Sequence, residues 1–201
     1  NDQRDLSANA ALAPLELVDA VIVGGGMENV NLGPYLLPGA RAGYRLGNAE
    51  LVDATVHDGL WCAIENCHMG GTAEWVAEKY GITREQQDEY AFHSHMKAVA
   101  ATASCQFRRE IVPVTTGTVE FAKDERPRPE TSIEALARLK PAFKKNGTVT
   151  AGNAPGVNDG AAAVLVTSEE KAASLGLRVM ARIAGQTFSG VDPSMVMMAP
   201  V

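Results

Sequence analysis

A loop rich in small residues, followed by a short apolar run, most constrains what this chain can fold into. The loop is Thr148–Gly160, reading TVTAGNAPGVNDG, and the run Ala161–Val166 reads AAAVLV. A short apolar run that follows a glycine suits a buried strand. Small loop residues let a ligand lie close to the main chain, and glycine adopts turns that other residues resist. From this pattern alone, a ligand-binding loop and a plain connection into a core strand are equally good interpretations.

The composition is that of an ordinary globular protein, and the 201 residues suffice for one domain or two small ones. The net charge of −6 argues against a general nucleic-acid binder, so an anionic ligand would need local positive charge. No apolar run approaches the ~20 residues that span a bilayer, and the first residues lack the pattern of a secretory signal. The 3 cysteines include no CxxC pair and predict reduced thiols. We therefore expect a cytoplasmic protein without membrane association.

Hydrophobic patterns and helix-capping signals predict a mixed α/β chain. Leu15–Val23 predicts a strand, and the glycines at 24–26 would end it in a tight turn from a buried parallel strand. Thr83–Cys105 predicts the clearest helix, with Thr83 and Gln86 spaced as a capping box. Further predicted helices are Leu51–Glu65, Thr72–Tyr80, Thr131–Leu139 and Ser168–Leu175, and further predicted strands are Ile111–Thr115, Thr118–Phe121, Ala161–Thr167 and Val179–Gly185. The predicted N-caps of the last three of these further helices are Thr72, Thr131 and Ser168.

Few side chains suggest chemistry on their own. His68 could exchange protons near neutral pH, although a histidine that only serves a helix start would look the same. Cys67 is not expected to pair with it as nucleophile and base, because adjacent side chains seldom point the same way. His93 and His95 would face different sides of a helix, so we predict no metal site. Arg128 could bind phosphate, stack on a flat ring, or simply be solvated.

Three sequence blocks together resemble the thiolases, enzymes that make or cleave 3-ketoacyl-CoA thioesters. They are GGMEN starting at Gly25, HMGxTAE starting at His68, and KPAF followed by TVTAGNAxGxNDGAAA, starting at Lys140. The blocks occur in family order, and the flanking stretches DGLW, EIVPV and GVDPS agree with the resemblance. The glycine-rich stretch fits neither GxGxxG nor GxxxxGK[ST], which disfavours a nucleotide-binding dehydrogenase.

The resemblance implies part of a thiolase-like αβαβα core with an inserted α+β domain that binds coenzyme A (CoA). Residues 1–30 would end the N-terminal half of the core, and residues 157–201 would return to the core and begin its C-terminal half. Residues 31–156 would form the CoA-binding loop domain. An oligomerisation loop would lie near 31–53. The expected partners are further copies of the chain or a complementing thiolase chain.

The resemblance also implies roles for individual residues. His68 would line the reaction pocket in a supporting catalytic role, with Met69 beside it, and Arg128 would meet the adenine end of CoA. The other residues implied to bind CoA are Leu139, Ala142, Phe143, Ala151, Ala154 and Gly156. CoA or acetyl-CoA would be the substrate, with no tightly bound cofactor and no metal.

The implied reaction is Claisen condensation of acetyl-CoA, or thiolysis of acetoacetyl-CoA. Thiolases use a nucleophilic cysteine in a CGSG-type motif upstream, and NEAFA, GHPxG and CxGxG blocks downstream, none of which this sequence contains. We therefore expect the central portion of a thiolase that supplies the CoA cradle and is inactive alone. The alternative is a non-catalytic CoA-binding or assembly module. Pro155, where the family usually has serine, and Ala135 would weaken CoA binding.

Overall fold

The computed structural model describes residues 21–201, and its two longest strands lie far apart in the sequence. The strands are β1 (Val21–Glu28), β2 (Tyr35–Leu36), β3 (Val52–Asp53), β4 (Trp61–Cys62), β5 (Cys67–His68), β6 (Val114–Thr116), β7 (Val119–Phe121) and β8 (Gly160–Thr167). The helices are α1 (Met69–Tyr80), α2 (Arg84–Ala103), α3 (Ile133–Ala137) and α4 (Glu169–Ser174). The described residues group into two compact units: 21–31 with 159–188, and 32–158 with 189–201.

The first unit is built on the antiparallel pair β1–β8, which runs in register from Val21 opposite Thr167 to Glu28 opposite Gly160. The predicted strand at 161–167 is therefore confirmed. The predicted turn at 24–26 is wrong, because these glycines lie inside β1. A Cβ on Gly25 would lie 2.6 Å from the Ala162 carbonyl oxygen, so the close approach of the two strands explains the glycine.

Other predictions for this unit concern the direction of β1 and a third strand. β1 pairs antiparallel with β8, whereas a parallel strand was predicted, and positions 15–20 of the predicted strand lie outside the described residues. Val179–Gly185 forms no strand, and the side chains of Val179 and Ile183 are exposed. α4 begins where predicted, since the Ser168 hydroxyl accepts a hydrogen bond from the Lys171 amide.

The second unit contains α1, α2 and α3 with three short antiparallel hairpins, β2–β3, β4–β5 and β6–β7. α1 packs against the 3₁₀-helix Pro193–Met198, and α2 packs against α3. The capping box of Thr83 and Gln86 is confirmed, with both reciprocal bonds formed. Buried apolar side chains in this unit are Ala77, Leu136 and Val149.

Several element boundaries in the second unit differ from prediction. α1 begins at Met69 with His68 as its N-cap, and the predicted cap Thr72 instead donates its hydroxyl to the Met69 carbonyl inside the first turn. The cap of α3 is Ser132 rather than Thr131. The predicted helix at 51–65 is a single π-helical turn, Thr55–Gly59, between short strands. The first two differences are shifts of local hydrogen bonding at helix ends, whereas the predicted α-helix at 51–65 is wrong, because that stretch forms two short strands around the π-helical turn.

Candidate functional site

A groove of about 710 Å³ lies in the second unit, between α2, α3, the segment 124–128 and the loop 151–156. Its volume is within the range of small-molecule sites, roughly 300–1,000 Å³. The predicted CoA-binding residues that line it are Arg128, Leu139, Ala151, Ala154 and Gly156. His68, Met69, Ala142 and Phe143 do not line it.

A buried carboxylate fixes the start of the loop. Glu74, on α1, is 4% exposed and accepts hydrogen bonds from the Thr148 and Val149 amides at 2.9 Å. The Thr148 hydroxyl donates to the same carboxylate at 3.0 Å, and Gln87 donates to that hydroxyl at 2.9 Å. Hydrogen bonds to a charged acceptor are stronger than neutral ones, so Glu74 ties the loop firmly to α1 and α2.

A second polar network fixes the middle of the loop. The side-chain carbonyl of Asn153 accepts from the Thr150 amide at 2.7 Å, and its NH₂ group donates to Asp88 at 2.9 Å and to the Thr148 carbonyl at 3.0 Å. Asp88 is 2% exposed and also accepts from Arg84 at 2.7 Å. Arg84 then donates to the carbonyl groups at the end of α3, at positions 136 and 139. One connected network therefore joins α2, α3 and the loop that line the groove.

Short side chains keep the groove open along its length. Ala91, Ser94, Ala98 and Ala135 line its helical walls. On the loop side, a Cβ on Gly152 would lie 2.5 Å from Leu139 and 2.6 Å from Leu136. The backbone of the loop therefore lies directly on these leucine side chains, and a ligand in the groove can approach main-chain atoms.

The groove carries more positive than negative charge. Arg126 and Arg128 line it together with Asp124, whose carboxylate accepts a hydrogen bond from the Arg126 amide at 2.9 Å. The Arg128 amide donates to Nδ1 of His95 at 3.2 Å, which joins this segment to α2. In a chain of net charge −6, two guanidinium groups against one carboxylate make a local basic site.

His68 lies in a separate arrangement with Phe143. Its ring stacks on the Phe143 ring with centroids 4.7 Å apart, and Nδ1 accepts a hydrogen bond from the Gly70 amide at 3.0 Å. A Cβ on Gly70 would overlap the Phe143 ring, so a glycine is needed there. Because Nδ1 acts as the acceptor, the neutral imidazole carries its proton on Nε2.

The segment that carries Phe143 runs beside the same loop. Ala142 and Phe143 line a cavity of about 390 Å³, and the Ala142 amide donates to the Val149 carbonyl at 2.9 Å. Met69, next to the stacked histidine, donates its amide to the Leu60 carbonyl at 2.8 Å. The structure thus divides the predicted residues between the groove and the neighbourhood of His68.

Comparison with known proteins identifies the family. The protein-family model of the thiolase N-terminal domain matches residues 17–170 of this chain. The chain belongs to the thiolase family. An acetyl-CoA acetyltransferase of Pseudomonas aeruginosa is 54% identical over 186 residues, which are 90% of this chain and 47% of that protein. One from Escherichia coli K12 is 52% identical over 185 residues, with the same coverage.

Solved thiolase structures agree. The acetyl-CoA acetyltransferase from Syntrophomonas wolfei matches with a TM-score of 0.83 and 45% identity, over 90% of this chain and 46% of that chain. Human mitochondrial 3-ketoacyl-CoA thiolase in complex with CoA matches with a TM-score of 0.80 and 39% identity, over 87% and 44%. The predicted family and the predicted α/β thiolase fold are confirmed. The chain spans about half the length of the relatives it matches.

The residues that organise this thiolase groove were not predicted as site residues. None of Glu74, Asp88, Arg84 and Asn153 was assigned a role in the site. Their signal in the sequence is weak, because a charged residue on a helix is usually solvated. Glu74 and Asn153 do lie inside the two longest family blocks, which is the one hint that their side chains matter.

The described residues offer neither a membrane-spanning helix nor a metal-binding cluster. No helix among residues 21–201 is long and apolar enough to cross a bilayer. Within the same range, no group of three or more His, Cys, Asp or Glu side chains could hold a metal ion.

Proposed function

We propose that this chain forms the CoA-binding part of a thiolase-type acyltransferase that acts on acetyl-CoA and acetoacetyl-CoA. The observation that carries the proposal is the groove, where a main-chain surface of small residues meets two guanidinium groups. The relatives named as acetyl-CoA acetyltransferases, and the human thiolase solved with CoA, support the choice of ligand.

Each part of the groove suits one part of CoA. Arg128 and Arg126 would bind the phosphates or stack on the adenine, because a guanidinium group does both. The pantetheine arm would lie along Ala151, Ala154 and Gly156, whose short side chains expose the main chain. Leu139 would provide apolar contact beneath the arm. No tightly bound cofactor or metal enters this proposal.

The second set of residues would lie near the thioester. His68, with Nε2–H available as a donor, would polarise the thioester carbonyl, and Phe143 would hold the imidazole by stacking. Ala142 and Met69 would complete the wall of that pocket. In this proposal residues 31–156 are the CoA-binding loop domain, 1–30 and 157–201 belong to the thiolase core, and 31–53 mediates contact with further thiolase chains.

The cysteines favour a second candidate, a module that binds CoA without catalysis. None of Cys62, Cys67 and Cys105 lines the groove. Burial raises the pKa of the Cys67 thiol, and the charges of Cys62 and Glu65 raise it further, which lowers the thiolate fraction. None of these thiols is therefore placed as an acyl acceptor for a thioester in the groove.

Calorimetric titration of the chain with CoA tests the proposal. Arg128→Gln should weaken binding by roughly 10- to 100-fold, because a hydrogen bond to a charged group contributes about 1.5–3 kcal/mol. Arg45→Gln, at an exposed arginine that does not line the groove, is the matched control and should bind as the wild type does. Equal affinities for all three proteins, or no binding at millimolar CoA, would contradict the proposal.

An activity assay separates the two candidates. The chain is mixed with a complementing thiolase chain that carries the missing cysteine blocks, and acetoacetyl-CoA cleavage by added CoA is followed as the loss of the thioester enolate absorbance. Turnover that is abolished by His68→Ala, with CoA binding retained, supports the acyltransferase. Tight binding of CoA without turnover supports the non-catalytic module.

A further inference from the structure

Two cysteines that the proposed function does not use face each other across a short hairpin. β4 and β5 pair antiparallel, and Cys62 is the direct partner of Cys67, at the end of the ladder next to the turn. The turn comprises residues 63–66, and Asn66 closes it with a φ of 49°. Both thiols are free and half-buried, whereas Cys105 is exposed.

The register places the two residues within the range of a disulfide. The Met69 amide donates to the Leu60 carbonyl at 2.8 Å, which is the bond expected beside a non-hydrogen-bonded pair of Trp61 and His68. Because the pair type alternates along an antiparallel ladder, Cys62 and Cys67 are a hydrogen-bonded pair, with Cα atoms about 5.5 Å apart. Disulfides join residues whose Cα atoms lie roughly 4.4–6.8 Å apart.

A bridge here would need only a small movement. Facing Cβ atoms on paired strands are about 4.5–5.5 Å apart, and a hydrogen-bonded pair lies toward the upper end of this range. A disulfide needs a Cβ–Cβ distance of about 3.5–4.5 Å. The hairpin can supply this shift, because each strand has two residues and the turn is largely exposed. Disulfides with some strain are more easily reduced, so such a bridge would be reversible.

The surroundings give the two thiols different tasks. The Glu65 amide donates a hydrogen bond to the Cys62 sulfur at 3.5 Å. Burial raises the pKa of the Cys67 thiol, which lowers its thiolate fraction. Cys62 is therefore the better first nucleophile, and Cys67 is placed to react second.

We propose that Cys62 and Cys67 form a reversible intramolecular disulfide when the protein meets hydrogen peroxide. The Cys62 thiolate attacks one peroxide oxygen, the O–O bond breaks, and a sulfenic acid and hydroxide result. The Cys67 sulfur then attacks the sulfenic sulfur, and the S–O bond breaks as the S–S bond forms. Hydroxide leaves and takes up the Cys67 proton, and the hydroxide from the first step takes up the proton that Cys62 released on forming its thiolate, so the pair is oxidised by two electrons and peroxide is reduced to two water molecules.

The test uses the Cys105→Ser variant, which retains only the facing pair. The variant is treated with equimolar peroxide, the remaining thiols are blocked, and the chain is cut after Glu65, the glutamate between the two cysteines. The fragments on either side of the cut should stay joined until a reductant is added. The second-order rate constant for thiol loss should not depend on protein concentration. Fragments that separate without reductant, or covalent dimers that account for the thiol loss, would overturn the proposal.

A second pair of variants keeps the test valid if one replacement perturbs the hairpin. Cys67→Ser with Cys105→Ser should accumulate sulfenic acid at Cys62, detected with a dimedone-type reagent. Cys62→Ser with Cys105→Ser should label several-fold more slowly. The Cys105→Ser variant, which retains both Cys62 and Cys67, should label little, because Cys67 consumes the sulfenic acid at Cys62. Strong sulfenic labelling in the protein that retains both thiols would contradict the proposed second step.

Discussion

The network around Asn153 makes a prediction that combines stability and pH. Asn153→Asp keeps the shape of the side chain but replaces its NH₂ group with oxygen. That oxygen would face Asp88 and the Thr148 carbonyl, to which the NH₂ group donates at 2.9 and 3.0 Å. Two carboxyl groups at this distance, one of them in a residue only 2% exposed, are expected to share a proton.

The size of the effect follows from the energy of that proton. Protonating a carboxyl group of ordinary pKa at a pH of about 7 costs about 4 kcal/mol, at 1.36 kcal/mol per pH unit. The protonated group donates one hydrogen bond where the amide donated two, which costs about 1 kcal/mol more. Arg84, already bonded to Asp88, offsets part of the repulsion if both groups stay ionised. We therefore expect a loss of about 3–5 kcal/mol at neutral pH and about 1 kcal/mol at a pH of about 4.

Urea unfolding of the wild type and variant across this pH range measures the difference. The pKa of the introduced carboxyl group is raised in the folded state, so the stability of the variant must fall as the pH rises above about 4. Asn158→Asp, at an exposed loop position, is the control and should change stability by less than about 0.5 kcal/mol at either pH. A variant as stable as the wild type at neutral pH, or a loss that does not vary with pH, would refute the reasoning.

Two further predictions concern packing and acid stability. Gly152→Ala should cost about 1–3 kcal/mol and narrow the groove, because its Cβ would overlap Leu139. Gly71→Ala, inside α1 with its nearest contact at 3.8 Å, should instead gain up to about 1 kcal/mol. Thermal unfolding checks both, and an equal effect for the two would be contrary to the packing argument. Hydrogen bonds from the Ser194 side chain and amide lower the pKa of Asp192. Its contribution to stability should therefore be present above a pH of about 4 and be lost as the pH falls. Asp192→Asn should flatten that acid dependence, and an unchanged slope would show that this cap does not matter.

Local signals predicted some of these elements well. The capping box at Thr83 and Gln86 marks the start of α2, and the apolar run after Gly160 marks β8, because each depends on neighbouring residues alone. The glycines in β1 could not be predicted as strand residues in the same way, and the reason is physical. The partner of Gly25 is Ala163, and no local pattern reveals that an antiparallel strand will lie so close.

The same reasoning explains what was missed in the site. Glu74 holds the amide of Thr148, which lies 74 positions away. In the sequence it looks like any glutamate near a helix start. The family blocks pointed to the loop at 148–156 as a binding site, which stays a prediction, and they assigned no role to the buried carboxylates that hold the loop. Val179–Gly185 shows the reverse error, since a largely apolar stretch forms a strand only when another strand pairs with it.

The most direct test of the central claim is where CoA lies on the chain. Amide hydrogen exchange with and without saturating CoA gives that footprint. We expect slower exchange at 151–156 and near Arg128, unchanged exchange in the β6–β7 hairpin, and loss of the effect in Arg128→Gln. Protection that is confined to other segments, or that is the same in the Arg128→Gln variant, would contradict it.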